Sequence, residues 1–221
     1  MDDSFKTVEG TLPWSDRTEW LLPAADKNTI DWPFTHGPVD VERALKAMRP
    51  HLKGMRTCIQ AGGCIGIWPI RLAQVFEHVI TFEPEPVTYE CLSHNTADVT
   101  NLSRYRAALG QDKHRIRMGL EPRYIGHCGA WQVMPDGDIP VVRIDDMGLD
   151  DVDLIYLDIE GSEHPALMGG LETIRRCRPV IGLEVKGFSR RYNNGASPLE
   201  LLMNEGYQMQ ANIGSDVLLT C

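Results

Sequence analysis

The residues able to do chemistry fall into a few short runs of this chain. In Gln60-Ala61-Gly62-Gly63-Cys64-Ile65-Gly66 the glycines let backbone N–H groups close on a ligand with no side chain in the way. Glu83-Pro84 follows at about 20 residues, the interval at which a nucleotide-binding fold sets an acid against ribose hydroxyls. A later run, Asp158-Ile159-Glu160-Gly161-Ser162-Glu163-His164, gathers carboxylates and an imidazole, and Glu184 ends a further apolar segment. Clustered carboxylates raise one another's proton affinity, so Glu160, Glu163, His164 and Glu184 are candidate general bases. Asp158, Glu160 and Glu184 are also oxygen ligands suited to a hard divalent ion, although their spacing does not require one. A structural alternative stands beside the catalytic one. Ser162 could cap a helix, with Glu163 complementing its dipole and Pro165 in its first turn.

Missing motifs narrow the chemistry. No G-x-x-x-x-G-K-[ST] run exists, which disfavours triphosphate transfer. Aligning Gly63 and Gly66 with G-x-G-x-x-G leaves Ala61 at the first position, which weakens the case for a pyrophosphate. Acidic and glycine-rich runs without lysine suit a cationic ligand better. His36, His94, His127 and the loop Phe188 to Gly195, with Arg190, Arg191 and Tyr192, are further candidates for the side of a second substrate. Lone histidines are more often partnered structural groups, and a run such as 188–195 is more often a solvated loop.

The elements that must position these runs follow from hydrophobic spacing. Val39 to Met48 has helical periodicity, with Pro38 suited to a first turn and Pro50 beyond the end. A strand runs into the Gly62 turn, a helix covers Ile67 to Phe76, and strand 78–83 precedes a helix from Pro86 to Ala97. A strand is expected near Leu102 to Ala108. Residues 111–144 break the rhythm as a small β insertion, with strands at 114–118, 125–133 and 139–144 and a turn at Asp136-Gly137. The apolar run Asp153 to Asp158 reads as a central parallel strand. Helix Pro165 to Arg175, strand Pro179 to Val185, a helix around Pro198 to Glu205 and a closing hairpin near 207–211 and 217–220 follow. The expected fold is a single α/β domain over residues 1–221 with a mainly parallel seven-stranded sheet, its last strand antiparallel, and helices on both faces. Ligands of such a sheet sit outside the carboxyl ends of its strands, where every run above is placed.

Composition agrees with that scale. Hydrophobic residues at 43% and charged residues at 24% of 221 suit one ordinary core. A formal net charge of −9 argues against holding nucleic acid or anionic membrane by charge alone. The six cysteines form no C-x-x-C pair, and they read as reduced thiols of a cytoplasmic protein without a signal peptide or membrane helix. Residues 1–37 carry Trp14, Trp20 and Trp32 among prolines. That segment is expected to be an irregular aromatic arm packed on the domain or on a neighbouring subunit of a homo-oligomer.

The glycine bend, Thr81-Phe82-Glu83-Pro84-Glu85-Pro86, Ala108-Leu109-Gly110, and Tyr156-Leu157-Asp158-Ile159-Glu160-Gly161-Ser162-Glu163 with Ile144-Asp145-Asp146 upstream resemble the FkbM-type methyltransferases. The resemblance implies a Rossmann-like class I methyltransferase sheet and S-adenosylmethionine as cofactor. It places that cofactor at Gln60, Ala61, Gly62, Gly63, Gly66, Glu83, Pro84, Ala108, Leu109 and Asp158, and implies O-methylation of a small molecule or glycan. Family members commonly have an acid where this chain has Gln60. Nucleic-acid amines are disfavoured as acceptors, because no N/D-P-P-Y-type run follows the fourth strand. Two alternatives remain: an NAD-type oxidoreductase, and a non-catalytic binding or assembly module that keeps the fold.

Overall fold

In the computed structural model, which describes residues 3–27, 32–127, 129–185 and 196–221, the chain opens with a hairpin. Its strands are β1 (Phe5–Glu9) and β2 (Glu19–Pro23), and a π-helical turn at Trp32–His36 leads into α1 (Gly37–Met48). Strands and helices then alternate: β3 (Thr57–Ala61), α2 (Ile67–Ala73), β4 (His78–Phe82), α3 (Pro86–Asn95) and β5 (Leu102–Tyr105). Next come β6 (Ala108–Leu109), β7 (Arg115–Gly119), β8 (Gln132–Pro135) and β9 (Ile139–Val142), which form a small separate sheet. The chain closes with β10 (Val152–Leu157), α4 (Glu163–Met168), α5 (Leu171–Cys177), β11 (Val180–Glu184), α6 (Pro198–Asn204), β12 (Gln208–Ile213) and β13 (Asp216–Thr220).

Seven strands form the main sheet in the order β12-β13-β11-β10-β3-β4-β5. β5, β4, β3, β10 and β11 are mutually parallel, and β13 runs antiparallel to both β11 and β12. The chain winds outward from β3 to β5 and then returns to place β10 on the other flank of β3. A crevice therefore opens between the carboxyl ends of β3 and β10. Both strands are buried throughout, and their pleat feeds two cores. Cys58, Leu154 and Tyr156 pack with Leu45, Met48 and Trp20 on one face, and Ile59, Ile155 and Leu157 pack with Leu167, Ile174 and Leu202 on the other.

Several elements depart from the spacing-based expectation. The helix expected over Pro165 to Arg175 is two helices, broken at Gly169-Gly170 where helix propensity is lowest. The second is capped from outside: Asp145 accepts from Thr173 N at 2.8 Å and from Glu172 N at 3.3 Å. The strand expected near 102–108 divides, with β5 in the main sheet and β6 paired to β9. Of the strand expected over 125–133 only its end joins β8, and Pro122–Tyr124 is a 3-10 turn. Asp136-Gly137 is no hairpin turn. Ile116 pairs with Pro135 and with Ile139, so the chain crosses over β7 there and leaves β8 and β9 on its opposite sides. The loop Phe188 to Gly195 lies outside the described residues.

The N-terminal arm is likewise more regular than expected. Leu12, Trp20 and Leu22 are buried in the first core, and the Trp20 indole donates to Gly10 O at 3.0 Å while its ring meets Phe34 at 5.5 Å. Among the described residues no helix is long and apolar enough to cross a membrane. Because Trp20 is fully buried in the core, Trp20→Ala should cost about 3–5 kcal/mol of folding stability in a denaturant titration. A loosely attached arm would lose well under that.

Candidate active site

The site begins where β3, β4 and β10 end. Gly62 N and Gly63 N both donate to Phe82 O, at 3.1 and 3.0 Å, and Asp158 N donates to Ala61 O at 3.1 Å. These bonds draw the strand ends together so closely that a Cβ on Gly62, at φ +86°, would lie 2.0 Å from Asp158 O. Only glycine fits both demands. The next residue but one, Cys64, is also left-handed at φ 46°, which turns its N–H toward Glu83 Oε2 at 2.9 Å. Glu83 Oε1 accepts from Glu85 N at 3.0 Å, and Glu85 in turn caps α3 by accepting from Thr88 N at 2.6 Å. Burial pushes the Glu83 carboxyl up to about 7, against the opposing pull of the two N–H donors.

Above this bend, at the carboxyl ends of the central strands, lies a cavity of about 120 Å³ that opens to solvent. Of the expected cofactor residues, Ala61, Gly62, Gly63, Glu83, Pro84, Ala108, Leu109 and Asp158 line it, and so does Glu160. Gln60 and Gly66 do not. Gln60 is buried beneath the bend, where its amide donates to Gly62 O at 2.9 Å and accepts from the Thr81 hydroxyl. Gly66 caps α2, with its N–H on Gly63 O at 2.9 Å.

The acids after β10 separate into different environments. Glu163 is 1% exposed, and its carboxylate turns back to accept from Ile159 N and Gly161 N, each at 3.2 Å. Burial pushes it up to about 7. His164 is half-buried and lies outside the cavity lining, with burial holding its imidazole below the usual range. Glu160 sits at φ 52°, a left-handed conformation that costs a non-glycine residue about 1–2 kcal/mol. Backbone strain of this kind gathers at functional sites. Carboxylate oxygens of Asp158, Glu160 and Glu184 converge within 4.8 Å of one another. Such a cluster of oxygens can share a proton or hold a hard cation.

Aromatic walls complete the cavity, and spacing alone did not point to them. Trp68 lines it from the second residue of α2, stacked on Tyr156 at 4.1 Å and 24°, while the Tyr156 hydroxyl donates to Asp216. Met118 and Val133 reach in from the small sheet, and Trp131 from the residue just before β8. Trp68 sits in a run that reads as ordinary core, and nothing local in the insertion marks Trp131 as facing a ligand.

This arrangement, with a glycine bend and an acid at the switch point of a parallel sheet closed by an antiparallel strand, has the class I methyltransferase architecture. Residues 70–209 match the family described as the methyltransferase FkbM domain, and the chain belongs to that family. The match begins after the Gly62–Gly66 bend, so the bend's role rests on geometry. Among solved structures, the methyltransferase FkbM of Methylobacillus flagellatus KT is similar with a TM-score of 0.52 and 21% identity. The likeness covers 75% of this chain and 43% of that one, so this chain spans less than half of that protein's length. An rRNA methylase from Streptococcus thermophilus is similar at TM-score 0.50 and 11% identity, over 82% of this chain and 95% of the other. The SMU.1697c protein of Streptococcus mutans, in complex with S-adenosylhomocysteine, is similar at TM-score 0.50 and 9% identity, over 82% and 97%. At these identities the structures share the fold. No curated protein sequence matches the chain.

Glu163 gives a test of the structural role. Its folded pKa of about 7 lies above the ordinary 4.5, so the folded state holds an extra proton between those values and stability falls as pH rises through that window. Glu163→Gln keeps the acceptor oxygen and removes the titration. The melting temperature at pH 8 should rise, and its decline between pH 5 and pH 8 should become shallower, as read by thermal denaturation across that range.

Proposed function

We propose that this chain is an S-adenosylmethionine-dependent methyltransferase acting on a hydroxyl oxygen of a small molecule or glycan. The observation that carries this reading is Glu83, a buried carboxylate on the cavity wall with each oxygen fixed by one backbone N–H. Each oxygen keeps a lone pair for a further donor, which is what a ribose diol requires. The residues present fit the cofactor. Backbone groups of Ala61, Gly62 and Gly63 would face its amino-acid end, Asp158 its cationic groups, and Pro84, Ala108 and Leu109 its base. Gln60 and Gly66 contribute by holding the bend.

When bound, the cofactor supplies a methyl group on a positively charged sulfur. The chain's own task is then to hold an acceptor oxygen in line with that carbon, an orientation that supplies about 7–11 kcal/mol in well-fitted systems. A hydroxyl must also lose its proton as the O–C bond forms and the S–C bond breaks. Glu160, on the cavity wall beside Asp158, takes that proton in this reading. Glu184 stands within reach of both. The convergence of these oxygens also supports a second reading, in which a divalent cation held by the three acids acidifies the hydroxyl.

The ribose contact has a pH signature. Diol hydroxyls bind the ionised form of Glu83, whose pKa is about 7, so affinity should rise with pH and differ about tenfold between pH 6 and pH 8. Calorimetry with S-adenosylhomocysteine should show that dependence, and Glu83→Ala should bind at least about tenfold more weakly with a flattened profile. Unchanged affinity in the variant removes the ribose assignment.

Glu160→Gln should lower kcat about a hundredfold while leaving S-adenosylhomocysteine affinity near that of the parent. Activity that survives dialysis against EDTA assigns the proton transfer to the carboxylate, and activity lost and then restored by magnesium assigns it to a held cation.

A further inference from the structure

We propose that Asn95 is a positioning residue that makes the N-terminal hairpin part of the cofactor site. This rests on the reading of the Gly62–Gly66 bend as the place where S-adenosylmethionine is held. Asn95 is the last residue of α3 and is fully buried. Its side-chain amide donates to Ile65 O at 2.9 Å and to Leu21 O at 2.9 Å, and its carbonyl accepts from Leu21 N at 2.8 Å. Leu21 is the middle residue of β2, opposite Thr7 of β1. With its N–H and C=O both on Asn95, it points those groups away from β1, so the amide stands where a third strand's backbone would be. Ile65 belongs to the bend and lines the cavity. One side chain thus joins the hairpin to the cofactor loop.

α3 grips the bend at both of its ends. Before its first turn, Glu83 accepts from Cys64 N, and at its last residue Asn95 donates to Ile65 O. Just past the second of these contacts Gly66 stands at φ +104°, where a Cβ would lie 2.8 Å from the Thr96 methyl. The bend therefore rests directly on the final turn of α3, and Asn95 fixes how far that turn stands from it. Further ties fasten the hairpin region to the same helices. Arg17 pairs with Asp98 at 2.8 Å just past α3, the Gln74 amide donates to Trp14 O at the end of α2, and Arg71 lies over the Trp14 ring at 5.6 Å.

Asparagine is the side chain that serves both partners, because it offers two donors and an acceptor within one planar group. Aspartate would lose both donations and set a charge against two carbonyl oxygens. Leucine would leave Leu21 N and O and Ile65 O without their partner. Since the hairpin and the bend share this group, ordering one orders the other. Linkage makes that coupling reciprocal: a ligand that fixes the bend must also slow opening of the hairpin.

The test is hydrogen exchange on the whole chain with and without S-adenosylhomocysteine, joined to calorimetry on Asn95→Asp. Amides of residues 5–9 and 19–23, none of which lines the cavity, should exchange about tenfold more slowly with ligand present. Asn95→Asp should bind S-adenosylhomocysteine about tenfold more weakly and raise KM for the cofactor in the same proportion, with the loss in KM rather than kcat. Hairpin exchange that ignores bound ligand overturns the proposal, and the wild-type measurement decides the matter should the variant fail to fold. A lower melting temperature with unchanged affinity also overturns it, since Asn95 would then be a packing group only. Both outcomes leave the cofactor reading intact. A wild-type chain that binds no S-adenosylhomocysteine refutes that reading, and this proposal with it.

Discussion

A buried carboxylate pinned beneath a backbone bend is the constraint on which the rest of this molecule depends. Glu83 is 6% exposed, and taking an acid so far out of water raises its pKa from 4.5 to about 7, a penalty of about 3 kcal/mol for the charged form. That penalty is what remains after two N–H donors have offset part of the cost of burial. One of them, from Cys64, is available because Cys64 adopts a left-handed backbone, which follows from the tight turn begun at Gly62. The acid and the turn are therefore a single device. Each braces the other through the Cys64–Glu83 bond, and together they leave an acceptor on the cavity wall.

The sheet explains why this device sits where it does. β3 is flanked by β4 and β10, and the hydrogen bonds leaving all three strand ends meet at Ala61, Gly62 and Gly63. A loop shared among three strands has little freedom, so its backbone is fixed before any ligand arrives, with the Gly62 and Gly63 N–H groups already on Phe82 O. Gln60 adds to this from below. A carboxylate at that position could accept from Thr81 but could not donate to Gly62 O, whereas the amide does both. In this chain the residue at the start of the motif therefore serves the loop's shape.

Much of the sheet was legible in the sequence because buried parallel strands read as largely apolar runs ending in glycines and acids, as β3, β4 and β10 do. What escaped was set by contacts distant in the chain. The break between α4 and α5 depends on Asp145 reaching back to cap the second helix, and the crossover at Ile116 depends on which neighbours β8 and β9 find. No local pattern encodes either. The N-terminal segment misled for a related reason: its prolines and tryptophans look irregular, but Trp20 and Leu22 become strand residues once a core exists to receive them. In the site, Ala61, Gly62, Gly63 and Glu83 were legible through spacing, whereas Trp68 and Trp131 were not, because an aromatic residue facing a cavity and one facing a core share the same sequence context.

The loop after β10 shows how neighbouring acids come to differ. Asp158, Glu160 and Glu163 lie within one short segment, and composition alone would give them equal standing as bases. Backbone geometry separates them. The left-handed turn at Glu160 and Gly161 reverses the chain so that Glu160 lies on the cavity wall, while the N–H groups of Ile159 and Gly161 are gathered toward Glu163. Glu163 thereby acts as the internal acceptor that stabilises the reversal, and its own burial is the cost. A chain that straightened at Glu160 would relieve the strain there, yet it would scatter the donors of Glu163 and withdraw a carboxylate from the cavity. The strained residue and the buried one are consequently two halves of the same turn, and the acid at the wall is held in place by the acid behind it.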